Sequence, residues 1–268
     1  MGICKVCGEE KRISKNLGVC IDCIREKPEV SLSYIKKVHQ KVRKNFNLPG
    51  YPPCTEDGIE CNICENRCKM GIGEKSYCGL RENENGILKS KVNSEISICN
   101  WYYDPIPTNC CASWFCNAES KGKNLCNLAI FFYGCSFNCL FCQNYSHKFI
   151  EKGPILPIEQ LVKKANKESV WCICFFGGSP EPQLPFAIRF SEEILKIKKV
   201  RICFEWNGNG NENLVMKVGE IALKTSGIIK FDLKAFDENL NIALTGVSNK
   251  KTYQNFKLIA KEFLSKSD

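Results

Sequence analysis

Hydrophobic and polar positions follow two regimes along this chain. From residue 127 onward, short apolar runs alternate with stretches of helical period. "NLAIFFYG" reads as a buried strand, and "PIEQLVKKANKE" as a helix opened by Pro157 with Leu161 facing inward. "SVWCICFFGG", "VRICFEWNG" and "GIIKFDLKAF" read as three further strands, separated by the helices "LPFAIRFSEEILKI" and "NLVMKVGEIALKT" and followed by "TYQNFKLIAKEFLSK". Four consecutive β–α units predict a parallel sheet with helices packed outside it, and chemistry at the C-terminal ends of the strands. Before residue 127 only residues 31–46 show clear periodicity. Ile35, Val38, Val42 and Phe46 recur at helical spacing, Ser31 or Ser33 is the expected cap, and "NLPGYPP" then makes a linker near residues 47–53.

Composition changes this picture through one residue type: cysteine, 20 of 268 residues. The start "MGICKVCGEEKRISKN" lacks the apolar stretch of a signal peptide, and no run approaches the roughly 18 apolar residues of a membrane span. Without a secretory route, closely paired cysteines point to metal rather than disulfides, and to a reducing cytoplasm. The net charge of +9 comes from lysines spread along the chain, densest in "YIKKVHQKVRKN" and "ILKIKKVR", and reads as a solvated surface. It allows an acidic partner such as RNA without requiring one. Two histidines, His39 and His147, leave little scope for histidine catalysis.

The cysteines fall into zones. Cys4, Cys7, Cys20 and Cys23 form two C-x2-C pairs, the pattern of a structural zinc ribbon or a rubredoxin-like iron site. Cys61, Cys64, Cys68 and Cys78 supply four more thiols at C-x2-C-x3-C-x9-C, among glycines that let backbone wrap a metal or cluster; zinc and iron–sulfur both remain open, and Cys54 could replace or supplement one member. A third group, Cys99, Cys110, Cys111, Cys116 and Cys126, is irregularly spaced in a stretch that reads as loop, and no metal is assigned to it. The aromatics there, Trp101, Tyr102, Tyr103, Trp114 and Phe115, are expected to form that segment's core.

The remaining cluster is Cys135, Cys139 and Cys142, at C-x3-C-x2-C directly after the first strand. Four-iron clusters normally take four cysteines, so three in one short loop leave one iron open to a small molecule, the alternative being a fourth ligand from another zone. With Phe141 before the last cysteine, the stretch resembles the radical S-adenosylmethionine (radical SAM) superfamily. That resemblance implies a [4Fe-4S] cluster whose open iron chelates S-adenosylmethionine, and an electron that cleaves the cofactor to a 5′-deoxyadenosyl radical for hydrogen abstraction. Later strand ends resemble the pyruvate formate-lyase activating enzyme group. "FFGGSPEPQ" resembles its GGE-type motif, implying cofactor contacts at Gly177, Gly178, Ser179 and Glu181. "FEWNGNG" resembles its D-T-N-G stretch, with Glu205 and Asn207 at the corresponding positions, and "KFDLKAFD" resembles its D-L-K, implying Asp232 and Lys234 beside the cofactor. "CNICENRC…YCGLREN" resembles the radical SAM member of the AmmeMemoRadiSam system.

Two departures from that group shape the expectations. A monovalent cation is held near the cofactor in the activating enzymes, and Lys230 stands at one of its ligand positions here, where its ammonium would replace the ion between Glu205 and Asp232. The family's partial barrel has six β–α units, whereas four fit between Cys135 and Asp268. The expected organisation is therefore an α/β chain with a zinc-ribbon-like segment and helix at 1–50, a cysteine-rich metal or iron–sulfur segment at 51–126, and a radical SAM partial barrel at 127–268, C-terminally incomplete. The expected activity is that of a radical oxidoreductase acting on a protein or small molecule and served by a ferredoxin- or flavodoxin-type electron donor. Its rivals are an RNA-modifying radical enzyme and a non-catalytic electron-transfer scaffold. A membrane partner is not expected.

Overall fold

The computed structural model describes residues 1–107, 109–116, 118 and 124–267. Its N-terminal part is a hairpin, β1 (Gly2–Ile3) with β2 (Glu10–Lys11), followed by α1 (Ile21–Glu26) and α2 (Pro28–Lys44). Helix α2 starts three residues before the expected serine cap, because the fixed φ of Pro28 suits a first helical position. The Ser31 hydroxyl instead donates to the Cys23 carbonyl (2.6 Å), tying α2 to α1. Two small hairpins follow, β3 (Ile59–Glu60) with β4 (Lys69–Met70) and β5 (Arg81–Glu84) with β6 (Ile87–Ser90).

The rest is organised on one six-stranded sheet. Its strands are β7 (Ile96–Pro105), β8 (Cys126–Phe132), β9 (Ile155–Pro157), β10 (Val170–Gly177), β11 (Arg201–Trp206) and β12 (Ile229–Phe231), in the order β12-β11-β10-β8-β7-β9. The run β8-β10-β11-β12 is parallel, as the alternating pattern requires. Between and after these strands lie α3 (Ile158–Ala165), α4 (Leu184–Ile197), α5 (Glu212–Lys224), α6 (Glu238–Thr245) and α7 (Lys250–Phe263). Leu128, Ile130, Ile173, Phe175, Ile202 and Phe204 are all fully buried and pack with the apolar stripes of α3, α4 and α5. The intervening residues point to the other face of the sheet, where β10 carries Cys172 and Cys174 and β11 carries Cys203 and Glu205.

The structure corrects three sequence expectations. The stretch around Cys99 is not loop. Residues 96–105 form β7, which pairs antiparallel with all of β8 and buries Cys99 completely, so the sheet crosses the expected boundary at residue 126 and covers the free side of β8. Trp101 and Tyr103 do pack on the core, but Trp114 (85% exposed) and Phe115 (70%) do not. The stretch "YIKKVHQKVRKN" is not wholly solvated either: His39 and Arg43 of α2 are buried against the rest of the protein, and His39 Nε2 lies 3.1 Å from the Ala243 carbonyl of α6.

Candidate active site and metal centres

The C-terminal ends of the parallel strands converge. Phe132 ends β8 opposite Gly177, which ends β10, and Trp206 of β11 lies opposite Phe231 of β12. The loop after β8 carries Cys135, Cys139 and Cys142, and it is held from outside the sheet. The Asn138 and Leu140 N–H groups donate to Thr245 O (2.7 Å) and Leu244 O (2.9 Å) at the end of α6. Helix α6, unforeseen because "ENLNIALT" has no clear apolar period, therefore props up the cysteine loop.

Around Cys135 the strand-end loops interlock. Asn207 Nδ2 donates to Cys135 Sγ (3.3 Å), as does the Phe137 N–H (3.3 Å), and the thiol lies 3.2 Å from the Gly178 carbonyl. The Gly177-Gly178 pair permits this approach. Gly177 has φ +115°, and a Cβ on Gly178 would lie 2.1 Å from the Gly134 carbonyl. Ser179 Oγ bonds the Glu181 carboxylate and accepts from the Asn207 N–H (3.2 Å), while Glu181 Oε1 accepts from the Asn209 N–H (3.2 Å). Glu181 is fully buried, and burial raises its carboxyl pKa against those hydrogen bonds. It pins the β10 and β11 loops together from beneath.

The other expected cofactor residues lie at the β11–β12 side. Lys234 forms an ion pair with Asp232, sits 5.9 Å over the Phe141 ring, and both charges act on Cys139, whose thiol burial pushes up to about 11. Glu205 makes its contacts with residues other than Cys135. It pairs with Lys230 (3.6 Å) and lies 3.5 Å from Cys174 Sγ. Burial works against the Lys230 charge, but Glu205 and Asp232 outweigh it and hold the lysine above its ordinary value. Lys230 thus pairs with Glu205 and is favoured by the nearby charge of Asp232, which itself pairs with Lys234.

Two groups that sequence reasoning missed surround the triplet. Arg43 (1% exposed) stacks 3.6 Å over the Tyr77 ring and donates to the Tyr77 and Pro49 carbonyls. Lys148 (3% exposed) donates to Asn138 Oδ1 (2.7 Å). Neither has a carboxylate partner among the described residues. Burial lowers both pKa values; the neighbours that favour the charged forms are Tyr77 and then the thiols of Cys135, Cys78 and Cys68 for Arg43, and the thiols of Cys142, Cys135 and Cys139 for Lys148. Two buried cations without acids are costly unless something anionic forms at those sulfurs. A thiolate-bound cluster meets that need. His147, pressed against Gly178 with burial holding it near pKa 3, is neutral and supplies no charge.

Cys4, Cys7, Cys20 and Cys23 place their four sulfurs within 4.8 Å of one another, the arrangement a single tetrahedral ion requires. Among the described residues no other group is gathered so closely. Burial opposes ionisation of Cys4, yet backbone N–H donors at Cys7, Cys20 and Val6 and the Cys7 thiol bring its pKa to about 6. Cys61, Cys64, Cys68 and Cys78 are all buried, and each of the four is electrostatically adjacent to the other three. They form a second four-thiol set, spread more widely than the first. This segment is docked on the strand-end loops: the Glu65 N–H donates to Asn209 O (3.0 Å), and Asn66 Nδ2 to Ser136 O (2.6 Å). Cys61 and Cys68 share an apolar cluster with Cys135 and Cys139.

A parallel α/β sheet with three loop cysteines after its first parallel strand, glycines after the second and an asparagine after the third defines an iron–sulfur enzyme site at the strand ends. The chain belongs to the radical SAM superfamily, whose profile matches residues 129–267, just over half of its length. Membership implies a [4Fe-4S] cluster and S-adenosylmethionine, and the triplet with its two buried cations fits the cluster. The chain is also similar to two proteins of Methanocaldococcus jannaschii. Uncharacterized protein MJ0808 is 30% identical over 96 residues, which is 36% of this chain and 26% of that protein. Uncharacterized protein MJ0674 is 24% identical over 216 residues, 71% of this chain and 55% of that protein. The chain thus spans about a quarter and about half of the lengths of these curated relatives. No helix among the described residues is long and apolar enough to cross a membrane.

Proposed function

We propose that this chain is a radical SAM oxidoreductase of the pyruvate formate-lyase activating enzyme type, abstracting a hydrogen atom from a protein or small-molecule substrate in the cytoplasm. The observation that carries this reading is the convergence on Cys135 of Gly178 and Asn207, from successive strand ends, with Ser179 accepting from the Asn207 N–H to tie the two loops together. Cys135, Cys139 and Cys142 would hold the cluster. When bound, cluster and S-adenosylmethionine supply reductive C–S cleavage and a hydrogen-abstracting radical. The chain's own residues bind and orient. Gly177 and Gly178 offer backbone without a Cβ, Asn207 fixes Cys135, Glu181 locks the loops, and Asp232 with Lys234 offers a charge pair on the Cys139 side. A ferredoxin or flavodoxin would deliver the electron. Cys61, Cys64, Cys68 and Cys78 would hold an accessory metal or cluster, and Cys4, Cys7, Cys20 and Cys23 a structural zinc or iron. The parallel strands are read as a partial radical SAM barrel.

Formation of 5′-deoxyadenosine by the anaerobically reconstituted, reduced protein tests the reading. It is expected in the wild type and absent in Cys135→Ala. Transfer RNA binding that weakens steeply with salt would favour the RNA-modifying rival instead.

Lys230, paired with Glu205 and near the charge of Asp232, motivates a separate expectation, that its ammonium replaces the monovalent cation. Deoxyadenosine formation should then be unchanged by potassium in the wild type, and in Lys230→Ala it should fall and be partly restored by potassium. A strong potassium requirement in the wild type would contradict the substitution.

A further inference from the structure

Cysteines also gather on the face of the sheet away from the helices. One cavity there is lined by six: Cys110, Cys111 and Cys116 from the segment after β7, and Cys172, Cys174 and Cys203 from β10 and β11. The strand cysteines are not core filler. The core positions of β10 and β11 are taken by Ile173, Phe175, Ile202 and Phe204 on the opposite face, whereas the cavity's other lining includes Asp104, Asn127, Glu205 and Lys230. Thiols at alternate positions of neighbouring strands are met by thiols from a covering segment that also carries the exposed Trp114.

The six are in mutual electrostatic reach, Cys174 bordering Cys172, Cys203 and Cys111, and Cys111 bordering Cys110. Cys110, Cys116, Cys172 and Cys203 are each adjacent to the other three, whereas the foremost charged neighbour of Cys111 and Cys174 is Glu205, which lies 3.5 Å from Cys174 Sγ. Burial raises the Cys172 and Cys203 thiols, so neutral sulfurs are what the protein alone favours there. Arg201 works the other way, its guanidinium donating to Cys116 Sγ (3.2 Å), as donors do to cluster-bound sulfurs. Spacing selects the kind of centre. Sulfurs around one tetrahedral ion at about 2.3 Å each must lie within about 4 Å of one another. Among the described residues only the Cys4 group is drawn in to 4.8 Å. A set that is complete in number yet wider than a single ion allows suits a cluster with inorganic sulfide between the irons.

We propose that Cys110, Cys116, Cys172 and Cys203 bind an iron–sulfur cluster on the sheet face opposite the helices, separate from the strand-end triplet. Cys110 is exposed, which leaves a route for iron and sulfide to enter. The cluster shares its cavity with Glu205 and Lys230, so it borders the place where the strand-end chemistry opens.

The test uses the full chain carrying Cys135→Ala, Cys139→Ala and Cys142→Ala, so that its result does not depend on the radical site. After anaerobic reconstitution, iron, zinc and acid-labile sulfide are counted per chain with and without the added pair Cys110→Ser and Cys116→Ser. The added pair should remove about four irons and about four sulfides, as should Cys172→Val with Cys203→Val from the strand side, while Cys111→Ser should remove none. Near-identical thermal melts of the loop variants would show that the fold persists. Equal iron and sulfide with and without Cys110 and Cys116 would overturn the site, and loss of zinc in place of iron would overturn the cluster.

Discussion

Gly178→Ala is expected to abolish deoxyadenosine formation and to lower thermal stability together. The added methyl would meet the Gly134 carbonyl at 2.1 Å and the His147 ring at 2.8 Å, and neither a backbone carbonyl nor a buried imidazole can move aside cheaply. Overpacking of this kind costs about 1–3 kcal/mol. For a chain of this size that is a melting-point drop of several degrees, at about 2–4 °C per kcal/mol. Activity should suffer more, because the displaced groups are the loop after β8 and the β10 turn that hold Cys135. Calorimetry and product assay on one preparation separate the two effects. A Gly178→Ala protein with unchanged melting and unchanged deoxyadenosine yield would show that this close approach is not part of the working site.

The second large effect is expected at Arg43. Arg43→Met keeps the apolar stem but removes a buried cation and the donors that serve the Tyr77 and Pro49 carbonyls. Leaving buried acceptors without partners costs about 1–3 kcal/mol each. The charge itself favours the reduced, more negative cluster, so its loss should lower the midpoint potential at the Cys135 triplet. A unit charge several ångströms away in partly screened surroundings acts on the order of tens of millivolts. Arg43→Lys, which retains the charge, should recover much of the potential even if it packs poorly. A potential that is the same in Arg43→Met and the wild type, measured by redox titration, would mean that the guanidinium serves packing alone.

These effects also mark how far the sequence could be read. The parallel strands and α4 were legible because their side-chain periods are unmixed; α4 runs from Leu184 to Ile197 as the pattern requires. Cys135, Cys139 and Cys142 and the glycine and asparagine turns stood out in the sequence because they recur at short fixed spacings after successive strands, and the structure brings Cys135, Gly178 and Asn207 together. Strand β7 was not, because "ICNWYY" lies among cysteines and prolines that suggest loop, and its register is set by pairing with β8 rather than by local propensity. Arg43 and Lys148 were hidden for a different reason. A basic residue in a basic stretch looks solvated, and only the docking of α2 and the cysteine loop on each other shows it buried. The cavity of six cysteines was invisible for the same reason, since its two halves lie more than fifty residues apart.

Electron paramagnetic resonance of the reconstituted, dithionite-reduced protein tests the central claim most directly, with and without S-adenosylmethionine and with deoxyadenosine assayed in the same samples. The variant lacking Cys135, Cys139 and Cys142 provides the background of any other cluster. The account expects a reduced [4Fe-4S] signal, absent from that variant, that changes shape on adding S-adenosylmethionine while deoxyadenosine accumulates. A triplet-dependent signal that S-adenosylmethionine leaves unchanged, without deoxyadenosine, would contradict it and mean that the iron has no open position for the cofactor.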